Sequence, residues 1–251
     1  MPHKDYFFLL TRLFLGYIFL SSGLCKLTHG DFAQIIGPPF LIEQLAEYDL
    51  QLFGYILAIS QVLVGGLVIT QRFSLVGLIA LVPINFSILA VTISQGWTGT
   101  PYVNAFLLFL NVAALVYEYP TLKALILAEP SSPIAIPKSI ALFKDIKGAL
   151  GLLLVLTAAI GFSFNNNVVV TILGSFFFVG LGFYVLKATR YQLLQKLVLI
   201  CFFLTLLLMT QTRNLNSIGI RGEIIYVAIT AIGFLMWLIS LFTKIRINKL
   251  S

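Results

Sequence analysis

Hydrophobic positions in this chain do not alternate with polar ones. They gather into long unbroken runs separated by short polar punctuation. Eight runs cover residues 6–26, 52–70, 74–94, 102–120, 147–164, 167–187, 193–212 and 222–243. Each matches the roughly 17–25 residues a helix needs to cross about 30 Å of hydrocarbon. In lipid a segment must satisfy its own backbone N–H and C=O groups, which a helix does internally. The pattern predicts an all-α polytopic transmembrane helix bundle of about eight spans.

The first run organises the rest. Residues 11–27 read TRLFLGYIFLSSGLCKL, apolar except for a cation near each end. From Arg12 to Lys26 a helix rises roughly 21 Å at about 1.5 Å per residue. That is somewhat less than the hydrocarbon thickness, so each long cation can snorkel toward its own face of the membrane. Gly16, Ser21, Ser22 and Gly23 are small enough for other helices to approach closely, which places this span inside a bundle. The run exceeds the 7–15 residues of a signal-peptide core and no A-x-A site follows it, so it is expected to be retained.

Composition narrows the class. Of 251 residues, 59 % are hydrophobic and 10 % charged, against about 25 % charged in soluble domains, and the mean hydropathy is +1.02. The net charge of +7 is not spread as a nucleic-acid footprint. With the N-terminus in the cytoplasm, every lysine and arginine except Lys26, Arg213 and Arg221 falls in cytoplasmic segments. This is the asymmetry of the positive-inside rule, and eight spans return the C-terminus to the cytoplasm. The charge therefore encodes topology, the bilayer is the expected partner, and nucleic acid is not.

Between the spans, residues 27–51 form the longest external loop, with Asp31, Glu43, Glu47 and Asp49 and a rigid Gly37-Pro38-Pro39 break. Residues 40–48 have the apolar spacing of a short interfacial helix. Pro83 is expected to kink the third span. Trp97 and Tyr102 suit an aromatic belt. Residues 126–146, with Pro130, Ser131, Ser132, Pro133 and Pro137, form a polar cytoplasmic linker between a four-helix module at 1–125 and a second one at 147–251.

Polar residues inside the spans carry the candidate chemistry. Tyr17, Gln61, Asn85 and Asn111 each fall near the middle of their own span. A buried amide without a partner costs a few kcal/mol, so these four are expected to converge in one mid-membrane polar layer. Such a layer serves either as interhelical glue or as a site for a small polar molecule or a quinone headgroup. Arg12 and Glu118 sit at the cytoplasmic ends of the first and fourth spans and can pair if those helices touch. Lys26, Thr100 and Asn104 are candidates at the outer face.

Signals of catalysis are sparse. His3 and His29 lie in polar flanks, and Cys25 and Cys201 lie at different depths with no C-x-x-C partner. The sequence holds no metal constellation, Walker motif or G-x-S-x-G, and no histidine inside a span to ligate haem.

In combination, Arg12, Gly16, Gly23, Lys26 and Leu27, followed by an acidic outer loop, resemble the opening of the DoxX-like membrane proteins. Gln61, Gly65 and Gly66, then Gln71, Arg72, Phe73 and Pro83, are similar to that family's second and third helices, as is the stretch Gly99, Thr100, Pro101, Tyr102, Val103, Asn104 before the fourth. The likeness covers about residues 5–125. It implies a four-helix module of the bacterial inner membrane and a link to membrane redox assemblies: thiosulfate:quinone oxidoreductase, membrane oxidoreductase complexes or methylamine dehydrogenase maturation. The expected role is an accessory or structural subunit with a membrane protein partner. The alternatives are a quinone-linked oxidoreductase and a small-solute transporter. The chain lacks the cysteine-rich segment of the MauE branch and adds four further spans.

Overall fold

The computed structural model describes residues 1–127 and 137–248. Pro130, Ser131, Ser132 and Pro133 of the expected linker, and Lys249, lie outside the described residues. Among the described residues the chain forms twelve helices and no strand. In order these are α1 (His3–Leu27), α2 (Leu41–Ala46), α3 (Gln51–Ile69), α4 (Ser74–Ser94), α5 (Thr100–Tyr117), α6 (Tyr119–Leu127), α7 (Lys138–Leu142), α8 (Ile146–Phe162), α9 (Asn167–Ala188), α10 (Leu193–Thr210), α11 (Thr212–Ser217) and α12 (Gly222–Asn248). Seven of them, α1, α3, α4, α5, α9, α10 and α12, are long and apolar enough to cross a membrane. The eighth apolar helix, α8, has 17 residues, about 25 Å of rise, at the short end of the spanning range. The chain is a multi-pass helical membrane protein. Its outward side chains, among them Phe86, Phe109, Leu154, Phe176 and Phe183, are large and apolar, as lipid contact requires.

The core gathers on α1. In its most apolar stretch α1 is 78 % buried, against 11 % for α12. One face of α1 carries Gly16 and Gly23, two helical turns apart, and packs on α3. A Cβ on Gly16 would lie 2.9 Å from the Gly65 carbonyl oxygen, and one on Gly23 would lie 2.5 Å from that of Ala58. The two backbones therefore touch, which only small residues allow. The other face of α1 meets the second half of the chain. Tyr6 donates to the Gln195 carbonyl at 2.9 Å, and Tyr17 donates to Met209 Sδ at 3.4 Å. A single buried apolar cluster runs from Leu9 and Leu13 through Val62 and Val68 to Phe177, Leu181 and Leu199. The two expected modules share this one core.

Several expectations change in detail. The expected linker, 126–146, takes in the last two residues of α6 and the whole of α7. Arg72 donates to the carbonyls of Ile140 and Phe143, both at 3.3 Å, and Phe143 is fully buried, stacked on Tyr184 with centroids 5.8 Å apart. An apolar anchor with capped carbonyls holds this stretch against the bundle. Span four ends at Tyr117 rather than near 120, because Glu118 leaves the helix and a new one begins across Pro120. Helix α4 runs unbroken across Pro83.

Candidate functional site

Two polar centres lie along α1, one at each end. At the basic end, Arg12 and Glu118 side chains are each 1 % exposed and form an ion pair at 3.1 Å. Arg12 Nε also donates to Gln71 Oε1 at 2.9 Å. Gln71 reaches that position because it turns the α3–α4 corner in the left-handed region, φ 62°, a conformation that costs a non-glycine residue about 1–3 kcal/mol. Its amide nitrogen donates back to the carbonyls of Val68 and Ile69, at 3.3 and 3.2 Å, closing the end of α3. Nearby, Phe8 stacks on Tyr117 with centroids 3.9 Å apart, and the Tyr117 hydroxyl donates to Asp5. This centre clamps α1, α5 and the α3–α4 turn together. All its named donors and acceptors point at one another, so it reads as architecture.

The far end is different. Lys26 is 2 % exposed. Its ammonium donates to Ser22, to the carbonyl at 3.1 Å and the hydroxyl at 2.5 Å. Among the described residues the ion pairs are Arg12–Glu118, His29–Glu43 and Arg213–Asp31, so Lys26 has no carboxylate partner there. It lines a cavity of about 50 Å³ together with Ser22, Gln61, Trp97, Thr100 and Asn104. Gln61 is 3 % exposed, and its Oε1 is sealed with no hydrogen-bond partner. Thus the candidates Lys26, Thr100, Asn104 and Gln61 face one space.

Register explains which residues meet. Gly23 lies against Ala58 and Val62, and Gly77 lies against Leu67 and Val68. Counting antiparallel from these contacts sets Ser22, Gln61 and Asn85 at one height. Asn104 donates to the Asn85 carbonyl at 2.8 Å and joins them. Asn111 sits two turns farther along α5, roughly 10 Å nearer the basic end. Asn111 and Asn85 are both fully buried, and neither amide has a partner at either atom. Tyr17 does not join the amides. It follows Gly16 by one residue, about 100° around the helix, and so points toward α9 and α10, its ring edge on Phe178. The single mid-membrane layer expected of Tyr17, Gln61, Asn85 and Asn111 is therefore split. One cluster lies toward the far end, with Asn111 and Tyr17 apart from it.

The second half of the chain holds the cover of the cavity in place. The loop after α1 supplies Ile36, Gly37 and Pro38 to the cavity wall. Its Phe32 is 1 % exposed and fills the notch left by Gly174 of α9, where a Cβ would sit 2.7 Å from the ring. Asp31 accepts from Asn167 at 2.6 Å and from Arg213. Gln34 donates to the Gly37 carbonyl at 2.7 Å and fixes the bend.

A larger space of about 810 Å³ opens between α1, α10 and α12, lined by Phe14, Tyr17, Phe202, Met209, Tyr226 and Trp237 among others. Among the described residues no cluster of His, Cys, Asp and Glu could hold a metal, and Cys25 and Cys201 are unbonded. Sequence reasoning missed Gln71 as the partner of Arg12 and Ser22 as the partner of Lys26. The i, i+4 spacing of Ser22 and Lys26 was a usable signal; the left-handed turn at Gln71 left none. Compared with known proteins, the chain matches no family model, no curated protein and no solved structure.

Proposed function

We propose that this chain is a membrane-embedded binding protein for a small polar molecule. Within that class we place it with the DoxX-like proteins of the bacterial inner membrane, as an accessory subunit of a redox assembly. The observation that carries the binding reading is Lys26: a buried ammonium with no carboxylate partner among the described residues, lining a cavity beside Gln61, whose Oε1 has no hydrogen-bond partner. Ionisable groups at membrane depth are costly to hold and mark functional sites. Glue between helices is satisfied, as at Arg12; this site is not. The DoxX-like placement draws support from where its matching residues fall: Arg12 on Gln71, Gly16 and Gly23 at the α1–α3 contact, Lys26 and Asn104 on the cavity.

The test compares stability with polarity. Lys26→Met and Gln61→Leu, purified in mild detergent, are expected to unfold at the same or a higher denaturant level than wild type, because each removes an uncompensated buried group. A loss of more than about 1 kcal/mol in both would make these residues structural glue and overturn the proposal. Co-purification of a second membrane protein tests the accessory role; recovery as a lone protein with intrinsic redox activity overturns it.

A quinone-linked oxidoreductase is the second reading. The Lys26 cavity lies far below the roughly 300–1,000 Å³ of sites for larger organic ligands, and so excludes a substituted ring. The groove between α1, α10 and α12 lies within that range and brings the Tyr17 hydroxyl and Trp237 to its wall. This reading requires a short-chain quinone to quench Trp237 emission, and Tyr17→Phe to weaken the effect.

A further inference from the structure

We propose that the Lys26 cavity binds a small monoanion, the size of a two-carbon carboxylate, entering from the far end of the bundle. This rests on the reading of that cavity as a ligand site and names what it takes.

Charge is the first reason. An ammonium held at 2 % exposure inside an apolar bundle needs a counter-charge. The described acidic groups of the neighbouring loop that form ion pairs use them elsewhere: Asp31 is tied to Arg213 and Asn167, and Glu43 to His29. A bound anion supplies the charge that the described residues do not. One ammonium with no second cation on the cavity wall sets the ligand's charge at minus one and excludes a metal cation.

Size is the second reason. About 50 Å³ admits roughly four water-sized groups, at 10–15 Å³ each. A two-carbon carboxylate has four heavy atoms; a lipid headgroup or a quinone ring is too large.

The third reason is the set of groups around the space. Two hydrogen bonds hold the Lys26 ammonium to Ser22, which leaves its third N–H. The cavity wall adds two residues that carry donors, Thr100 and Trp97. The first turn of α5 is uncapped by any side chain and presents Thr100, Val103 and Asn104 to the same space, so its positive dipole end favours an anion. Gln61 lines the same space, and its Oε1 is sealed and unpartnered. Gly37 covers Lys26 closely: a Cβ there would lie 3.7 Å from Nζ. The loop thus forms part of the site's wall, and the second half of the chain anchors that loop.

The experiment uses the full-length protein in detergent. Sodium acetate is titrated against sodium gluconate at constant ionic strength, with acetamide as the neutral molecule of the same size. Acetate is expected to raise the melting temperature saturably in wild type, with a shift at least tenfold smaller in Lys26→Met, and acetamide is expected to do nothing. As a second measurement, Trp237→Phe leaves Trp97 as the sole tryptophan, since the chain has two. Its emission is expected to respond to acetate with the same midpoint, which decides the matter even if Lys26→Met fails to fold. If acetamide acts and acetate does not, the anion is refuted while the ligand site stands. An acetate effect undiminished in Lys26→Met, or no acetate effect on either the wild-type melting temperature or the Trp97 emission of Trp237→Phe, overturns the proposal. If neither solute acts and Lys26→Met and Gln61→Leu both lose stability, the site reading falls with it.

Discussion

The buried pair at the basic end allows the sharpest energetic test. Arg12 and Glu118 are each 1 % exposed and 3.1 Å apart, so solvent contributes little to either charge. Two unit charges about 4 Å apart attract by about 4 kcal/mol at an effective dielectric of about 20, while each has lost several kcal/mol of hydration. The pair is therefore worth little relative to an apolar replacement, but either half alone is costly. Arg12→Met takes the guanidinium away from the Glu118 carboxylate and frees Gln71 Oε1; Glu118→Leu removes the paired carboxylate and leaves the buried guanidinium its hydrogen bond to neutral Gln71. Each single change is expected to cost about 3–5 kcal/mol. The double variant Arg12→Met/Glu118→Leu is expected within about 2 kcal/mol of wild type, giving a coupling of about 3 kcal/mol or more. The assay is reversible unfolding in dodecylmaltoside micelles with increasing dodecyl sulfate, followed by circular dichroism. Raising salt from about 0.05 to 0.5 M should leave the coupling unchanged, because burial prevents screening. Additive single effects, or a cost below about 1 kcal/mol for Arg12→Met, would mean that the guanidinium reaches the membrane surface, and would refute the buried clamp.

Other predictions follow from packing and caps. Gly23→Leu drives a side chain into the Ala58 carbonyl 2.5 Å from its Cβ and should cost at least about 3 kcal/mol or block folding, read as lost monodisperse protein on size exclusion. Phe32→Ala empties the notch at Gly174 and should cost about 3–5 kcal/mol in the same unfolding assay. Asn111→Leu replaces an amide with no partner at either atom and should stabilise by about 1–2 kcal/mol; destabilisation would mean that a bound group satisfies it. Asp145 caps α8 by accepting from Gly148 at 3.0 Å, so Asp145→Ala should cost about 1 kcal/mol.

The sequence by itself determined the class: a multi-pass helical bundle, most of its span boundaries, and the enclosed position of the first helix. Those properties are one-dimensional. Hydrocarbon thickness sets run length, and the small residues of residues 11–27 mark a close contact whatever the partner. It also marked Lys26 and Gln61, because an ionisable or amide group in an apolar run stands out without any coordinates, and Thr100 and Asn104 lay in a stretch, 99–104, singled out by its resemblance to the DoxX-like proteins. What it did not contain was azimuth and register. Tyr17 turns from the amides because it stands one residue past the glycine face, and Asn111 stands apart because α5 meets Asn85 through Asn104, two turns from Asn111. The roles of Ser22, Gly37 and Gln71, and the use of the second half as an anchor for the cavity's cover, depend on which backbones touch. That depends on the small residues of several helices meeting at once, a property of the packed bundle and not of any one segment.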